Sequence, residues 1–151
     1  KKIIVLSRLQ KGGGLGKIYK KIKERNGSLT IITNIFQFRM ISPPSNKKKS
    51  RSIILNNIGI INRIEKLCNF FSCNSSNEIH LLYDKTDPLP YIAYLICSTN
   101  NKNFFFYHHA DHSFSFGMFE SNWHHIDLFQ NQFQICKKVL KPKFNSMINF
   151  L

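Results

Sequence analysis

A chain of 151 residues, 42% of them hydrophobic and 13% aromatic, has the size and apolar content of one compact domain with its own core. Its 22 basic against 8 acidic side chains give a formal charge of +14, which attracts phosphates, anionic lipid headgroups or nucleic acid. No run approaches the ~18 apolar residues of a membrane span, and the four cysteines at 68, 73, 97 and 136 form no CxxC pair, so buried reduced thiols are expected.

The chain opens on "KKIIVLSRLQ", whose apolar run ends at Leu6, too short for a secretory leader. A cytoplasmic protein able to rest on the inner face of a membrane is expected. The first residue is Lys rather than Met, which points to a fragment of a longer protein.

"IIVLS", Ile3 to Ser7, is short, β-branched and uninterrupted, as a strand covered on both faces of a parallel sheet would be. A glycine-rich turn follows, "RLQKGGGLGK". Leu15, Ile18, Tyr19 and Ile22 then recur at helical spacing, with Lys17, Lys20 and Lys21 on the other side, until Asn26 and Gly27 stop the helix. The turn offers Gly12, Gly13 and Gly14 as candidate ligand-binding positions. Without side chains there, backbone N–H groups approach a ligand closely and the helix N-terminus favours an anion. The pattern is neither GxGxxG, since position 19 is Tyr, nor a P-loop, since no Gly-Lys-Ser/Thr closes it. It reads equally as a plain tight turn or a ligand-contacting loop.

Leu29 to Phe36 and Ser52 to Asn56 read as strands, separated by Pro43, Pro44 and the basic run "NKKKSRS". That run lacks interleaved aromatics, so it reads as a solvated loop that prefers anionic surfaces, and no nucleic acid partner is expected. In "NIGIINRIEKLCNFF" the positions Ile60, Ile61, Ile64, Leu67, Cys68 and Phe71 mark the buried face of a second helix. Glu78 to Asp84 is a further strand, and "TDPLPYIAYLICSTN" a helix with Asp87 as N-cap and Pro88 at its first position.

"NFFFY" is the next strand, and it delivers the chain to His108, His109, Asp111 and His112. Strand and helix alternate throughout, so the expected fold is α/β, a Rossmann-like parallel sheet with helices on both faces. The histidine cluster then sits at a strand's carboxyl end, the edge where ligands bind in such sheets, and the glycine turn opens on the same edge. Beyond Gly117, "HHIDLF" is read as a short strand and a helix from Asn131 as its successor. The tail "KPKFNSMINFL" offers no closing element.

The histidine cluster also resembles the last four positions of the HxHxDH motif of metallo-β-lactamase-type hydrolases. Tyr107 stands where that family has its first histidine, and only His124 and His125 remain downstream as further ligands. The bland alternative is a set of histidines that cap a strand. His108 and His109, being adjacent, face opposite sides if the strand is still extended.

The run from Asn77 to Gly117, with "IDLFQNQFQICKKVL" after it, resembles the later part of the N-terminal domain of bacterial GT-B glycosyltransferases of polysaccharide and lipooligosaccharide synthesis. These carry a "HADH…(F/W)xxG" stretch, here His109, Ala110, Asp111, His112, Phe114 and Gly117. The resemblance covers about half the chain. It implies that residues 1–151 form a single acceptor-binding domain whose nucleotide-sugar-binding C-terminal domain is absent. By it, His109, Asp111 and His112 are the catalytic candidates, one imidazole as base and Asp111 orienting it, with His108 beside them on the substrate. It implies a nucleotide-sugar donor, a glycan or glycolipid acceptor, and no cofactor or bound metal. A metal-dependent hydrolase built on "HHADH" and a basic non-catalytic binding module are the competing readings.

Overall fold

The computed structural model describes residues 2–7, 13–24, 28–33, 51–55, 58–72, 76–97, 101–108 and 114–148. Among these residues seven strands form one sheet: β1 (Lys2–Leu6), β2 (Leu29–Ile32), β3 (Arg51–Ile54), β4 (Glu78–Leu82), β5 (Asn103–His108), β6 (His124–Asp127) and β7 (Phe144–Met147). Every pairing is parallel, in the order β3-β2-β1-β4-β5-β6-β7. This is the expected Rossmann-like α/β sheet, with its reversal of strand order between β1 and β4.

Consecutive residues of β1 are buried because both faces are covered: Ile4 and Val5 are each 0% exposed. Period-two alternation divides them. Ile3, Val5, Ile31, Leu81 and Phe106 pack with helices α2 (Ile60–Ser72) and α3 (Leu89–Ile96) through Leu67, Phe71, Leu89 and Ala93. Ile4, Leu6, Ile32, Leu82, Tyr107 and Ile126 pack with α1 (Gly13–Glu24) through Leu15, Ile18 and Tyr19. Each such side chain contributes about 1.5–3 kcal/mol on burial, so the two half-cores dominate the stability of the fold.

Sequence periodicity overextends the buried face of α2. Ile60 and Ile61 are 61% and 72% exposed; only Leu67 and Phe71 are fully buried. The partner helix α3 has 8 residues against 13 in α2, and the first turn of α2 goes uncovered. The N-cap of α3 is Pro88, one residue later than the expected Asp87, whose Oδ1 still accepts the Leu89 N–H at 3.1 Å.

The tail is a second correction. Where the sequence offers no closing element, Phe144–Met147 adds a parallel edge strand to β6. It is largely exposed, so it carries no apolar alternation for a pattern to detect. Before it, helix α4 (Gln130–Ile135) runs into a π-helical turn, Cys136–Leu140, closed by Lys141 N–H on the Cys136 carbonyl at 3.0 Å with Lys141 left-handed (φ 47°). Among the described residues no helix is long and apolar enough to cross a membrane.

Candidate functional site at the carboxyl edge

All seven strands are parallel, so their carboxyl ends share one edge. Ser7, Thr33, Asp84, Asp87, His108 and Asp127 end or follow β1, β2, β4, β5 and β6 there. Two polar clusters occupy the described part of it.

The first straddles the reversal of strand order. Ser7 Oγ donates to Asp87 Oδ2 at 2.6 Å, and Thr33 Oγ1 donates to the same oxygen. Ser7 Oγ in turn accepts the Asp84 N–H at 2.7 Å. Arg63, at the start of α2, donates from Nη1 to the Thr33 carbonyl at 3.2 Å and from Nε to the Ile58 carbonyl at 2.9 Å. Asp87 is fully buried. Burial raises its pKa, while the Ser7 and Thr33 hydroxyls and the Leu89 N–H pull it back down. A carboxylate with three donors is a brace: it fixes where β1, β2 and the β4–α3 loop meet.

The second cluster lies at the ends of β5 and β6. His108 pairs in register with Asp127, and Phe106 with His125. Alternation therefore puts His108, His125 and Asp127 on the face that α2 and α3 cover. His108 Nε2 lies 2.7 Å from His125 Nδ1 and 3.9 Å from Cys136 Sγ. The other nitrogen of His125 meets the Glu120 carbonyl at 2.9 Å, which fixes Nε2 as its N–H and leaves Nδ1 a lone pair aimed at His108. His108, His125, Asp127 and Cys136 are 7%, 1%, 0% and 2% exposed.

Charge is poorly accommodated in this cluster. Neither carboxylate oxygen of Asp127 has a hydrogen-bond partner among the described residues. Burial pushes Asp127 up to about 6, with Cys136 and Asn145 close enough to pull the other way. Burial, aided by the Asp127 charge, pushes the Cys136 thiol up to about 12. Burial lowers His125, against the pull of the Glu120 carbonyl.

The candidates read from the sequence fall as follows. His108 is the last residue of β5, as expected of a strand that ends in the cluster. His109, Asp111 and His112 lie outside the described residues, as does Gly12. Gly13 and Gly14 form the first turn of α1 itself. A Cβ on Gly14 would meet only Leu128 Cδ1, at an ordinary 3.9 Å, so space does not demand a glycine there. Tyr107, in the place of the hydrolase motif's first histidine, faces the α1 side and meets His80 Nδ1 at 2.9 Å through its hydroxyl. His124 also faces that side, stacked between Phe105 (4.8 Å) and Phe144 (4.4 Å). Of the two downstream histidines only His125 reaches His108.

Gly117, the last residue of the "HADH…(F/W)xxG" stretch, is left-handed (φ 86°), and a Cβ there would fall 2.3 Å from the Trp123 ring. Its place in that pattern has a packing cause: it lets the chain lie flat on Trp123, which stacks on Phe104 at 5.6 Å. Sequence reasoning missed Asp127 and Cys136. His125 and Asp127 stand two apart in a strand, which puts both on one face, and that spacing is visible in "HHID". Cys136 is brought in by the packing of α4 over β6, which no local pattern encodes. Comparison of the chain with protein-family models, with curated proteins and with solved structures finds no match.

Proposed function

We propose that this domain is the acceptor-binding half of a glycosyltransferase of the GT-B architecture, with His109, Asp111 and His112 on the acceptor side of its reaction cleft. One observation carries the reading: β5 ends at His108 on the carboxyl edge of an all-parallel sheet. The chain therefore enters the "HADH" stretch from the edge where such sheets bind ligands. The start of α1 after β1 opens on the same edge, and its N-terminus favours an anionic group. An imidazole oriented by a carboxylate takes a proton from an acceptor hydroxyl near neutral pH. The net charge of +14 suits an acceptor held at an anionic membrane surface. By the same GT-B reading, the donor nucleotide-sugar would bind a second domain.

The test is sugar transfer by the product of the complete reading frame, from nucleotide-sugar donors to glycan and glycolipid acceptors. His109→Ala, Asp111→Asn and His112→Ala are compared with the wild type. Loss of a general base costs about 100-fold or more in kcat, so at least one histidine variant drops by that factor while its thermal unfolding is unchanged. Transfer at the wild-type rate by both histidine variants sinks the assignment.

A further inference from the structure

We propose that His108, His125 and Cys136 form a buried three-donor site for a divalent d-block cation, zinc first, with Asp127 beside Cys136, that ties β5 and β6 to the helix packed over them. Three donor atoms, His108 Nε2, His125 Nδ1 and Cys136 Sγ, all lie within 4.8 Å of one another. A tetrahedral zinc with Zn–N near 2.05 Å and Zn–S near 2.3 Å needs N···N of about 3.35 Å and N···S of about 3.55 Å. The observed 2.7 Å and 3.9 Å differ from those values by about 0.65 Å and about 0.35 Å, so a bound ion would part the two imidazoles and draw Sγ closer.

Two further observations point to a cation. His125 donates its remote N–H to a backbone carbonyl, the outer contact that metal-bound histidines make, and so presents its other nitrogen unprotonated. Asp127, fully buried and with only the Cys136 thiol and Asn145 close to a carboxyl group that makes no well-formed hydrogen bond among the described residues, places a poorly compensated negative charge beside Cys136. Burying such a group alone is costly, and a cation removes the cost. Two imidazoles and a thiolate are a borderline-soft set that suits zinc over magnesium or calcium. The π-helical turn that begins at Cys136 is a distortion frequent at functional sites.

Binding releases the Cys136 thiol proton to solvent, while the His108 proton moves from Nε2 to Nδ1 without leaving the ring, so affinity rises with pH through the thiol. All three donors and the neighbouring Asp127 are buried, so the ion is structural. The inference is independent of the glycosyltransferase reading: a protein that holds zinc and transfers no sugar upholds this one alone.

The experiment titrates chelator-stripped, reduced protein with Co2+ as a visible probe, then displaces it with Zn2+. One equivalent of Co2+ is expected to give ligand-field bands of tetrahedral intensity and a single-thiolate charge-transfer band, and one equivalent of Zn2+ to bleach both. Cys136→Ser abolishes the charge-transfer band and weakens zinc by about 100-fold or more, while Asp127→Asn keeps the band and weakens zinc by about 10-fold. Cys68→Ser and Cys97→Ser leave the spectrum unchanged. No bands at one equivalent, or a charge-transfer band that survives in Cys136→Ser, overturns the proposal. The wild-type spectrum counts thiolate ligands without any substitution, so the test stands even if a variant fails to fold.

Discussion

Ser7 Oγ lies 2.6 Å from Asp87 Oδ2 although 80 positions separate the two residues in the chain. The first leaves β1 and the second begins the turn into α3, so one hydrogen bond joins the two halves of the sheet where the strand order reverses. Thr33, at the end of β2, donates to the same oxygen. The geometry of the carboxyl edge depends on this carboxylate.

Asp87→Ala strands two buried hydroxyls and the Leu89 N–H, and a lost buried network of this kind costs about 3 kcal/mol. Ser7→Ala removes one neutral donor to a charged acceptor and costs about 1.5–3 kcal/mol. In the double variant the two losses are less than additive, because they remove the same contact. Urea unfolding measures all three; additive losses would mean that the two residues do not communicate.

Gly117→Ala forces an L side chain into left-handed backbone and drives a methyl group onto the Trp123 ring. The backbone penalty is about 1 kcal/mol and overpacking adds about 1–3 kcal/mol. Thermal unfolding should show a loss of several degrees, together with a change in Trp123 fluorescence. An unchanged midpoint would contradict the packing described at this turn.

His80 provides a pH signature. It is 5% exposed, between Tyr107 and Glu78. Burial lowers its pKa from 6.5 to about 4, against the pull of Glu78. The unfolded chain binds a proton near pH 6.5 and the folded one not until about pH 4, so stability falls as pH drops through that window. At 1.36 kcal/mol for each pH unit the full effect is about 3 kcal/mol. His80→Gln should flatten the dependence by that amount between pH 7 and pH 4. Equal slopes for variant and wild type would show that His80 titrates normally.

Much of the fold was legible because burial on both faces writes β1, β4 and β5 as continuous apolar runs between helical periods, as in "IIVL" and "NFFFY". "HHIDLF", read as a short strand before a helix, is a strand followed by α4 in the structure, although the strand's residues are mostly polar. β7 was not, because an exposed edge strand is held by backbone hydrogen bonds and needs no hydrophobic pattern. Ile60 and Ile61 fit the α2 stripe but stay largely exposed, a fact of tertiary length that periodicity cannot carry. At the candidate site, His108 at the end of a strand was readable. Its neighbours were less so: "HHID" puts Asp127 on one face with His125, but only the strand register sets it opposite His108, and Cys136 arrives through the packing of α4 over β6.

The position of the ligand on the sheet tests the central claim most directly. Backbone amide shifts of the domain, recorded with a panel of soluble oligosaccharide acceptors, locate it without any substitution. The account predicts changes at Ser7, Thr33, Asp84 and His108, at the carboxyl edge. Changes confined to Lys2, Glu78 and Asn103, at the amino ends of their strands, would contradict it.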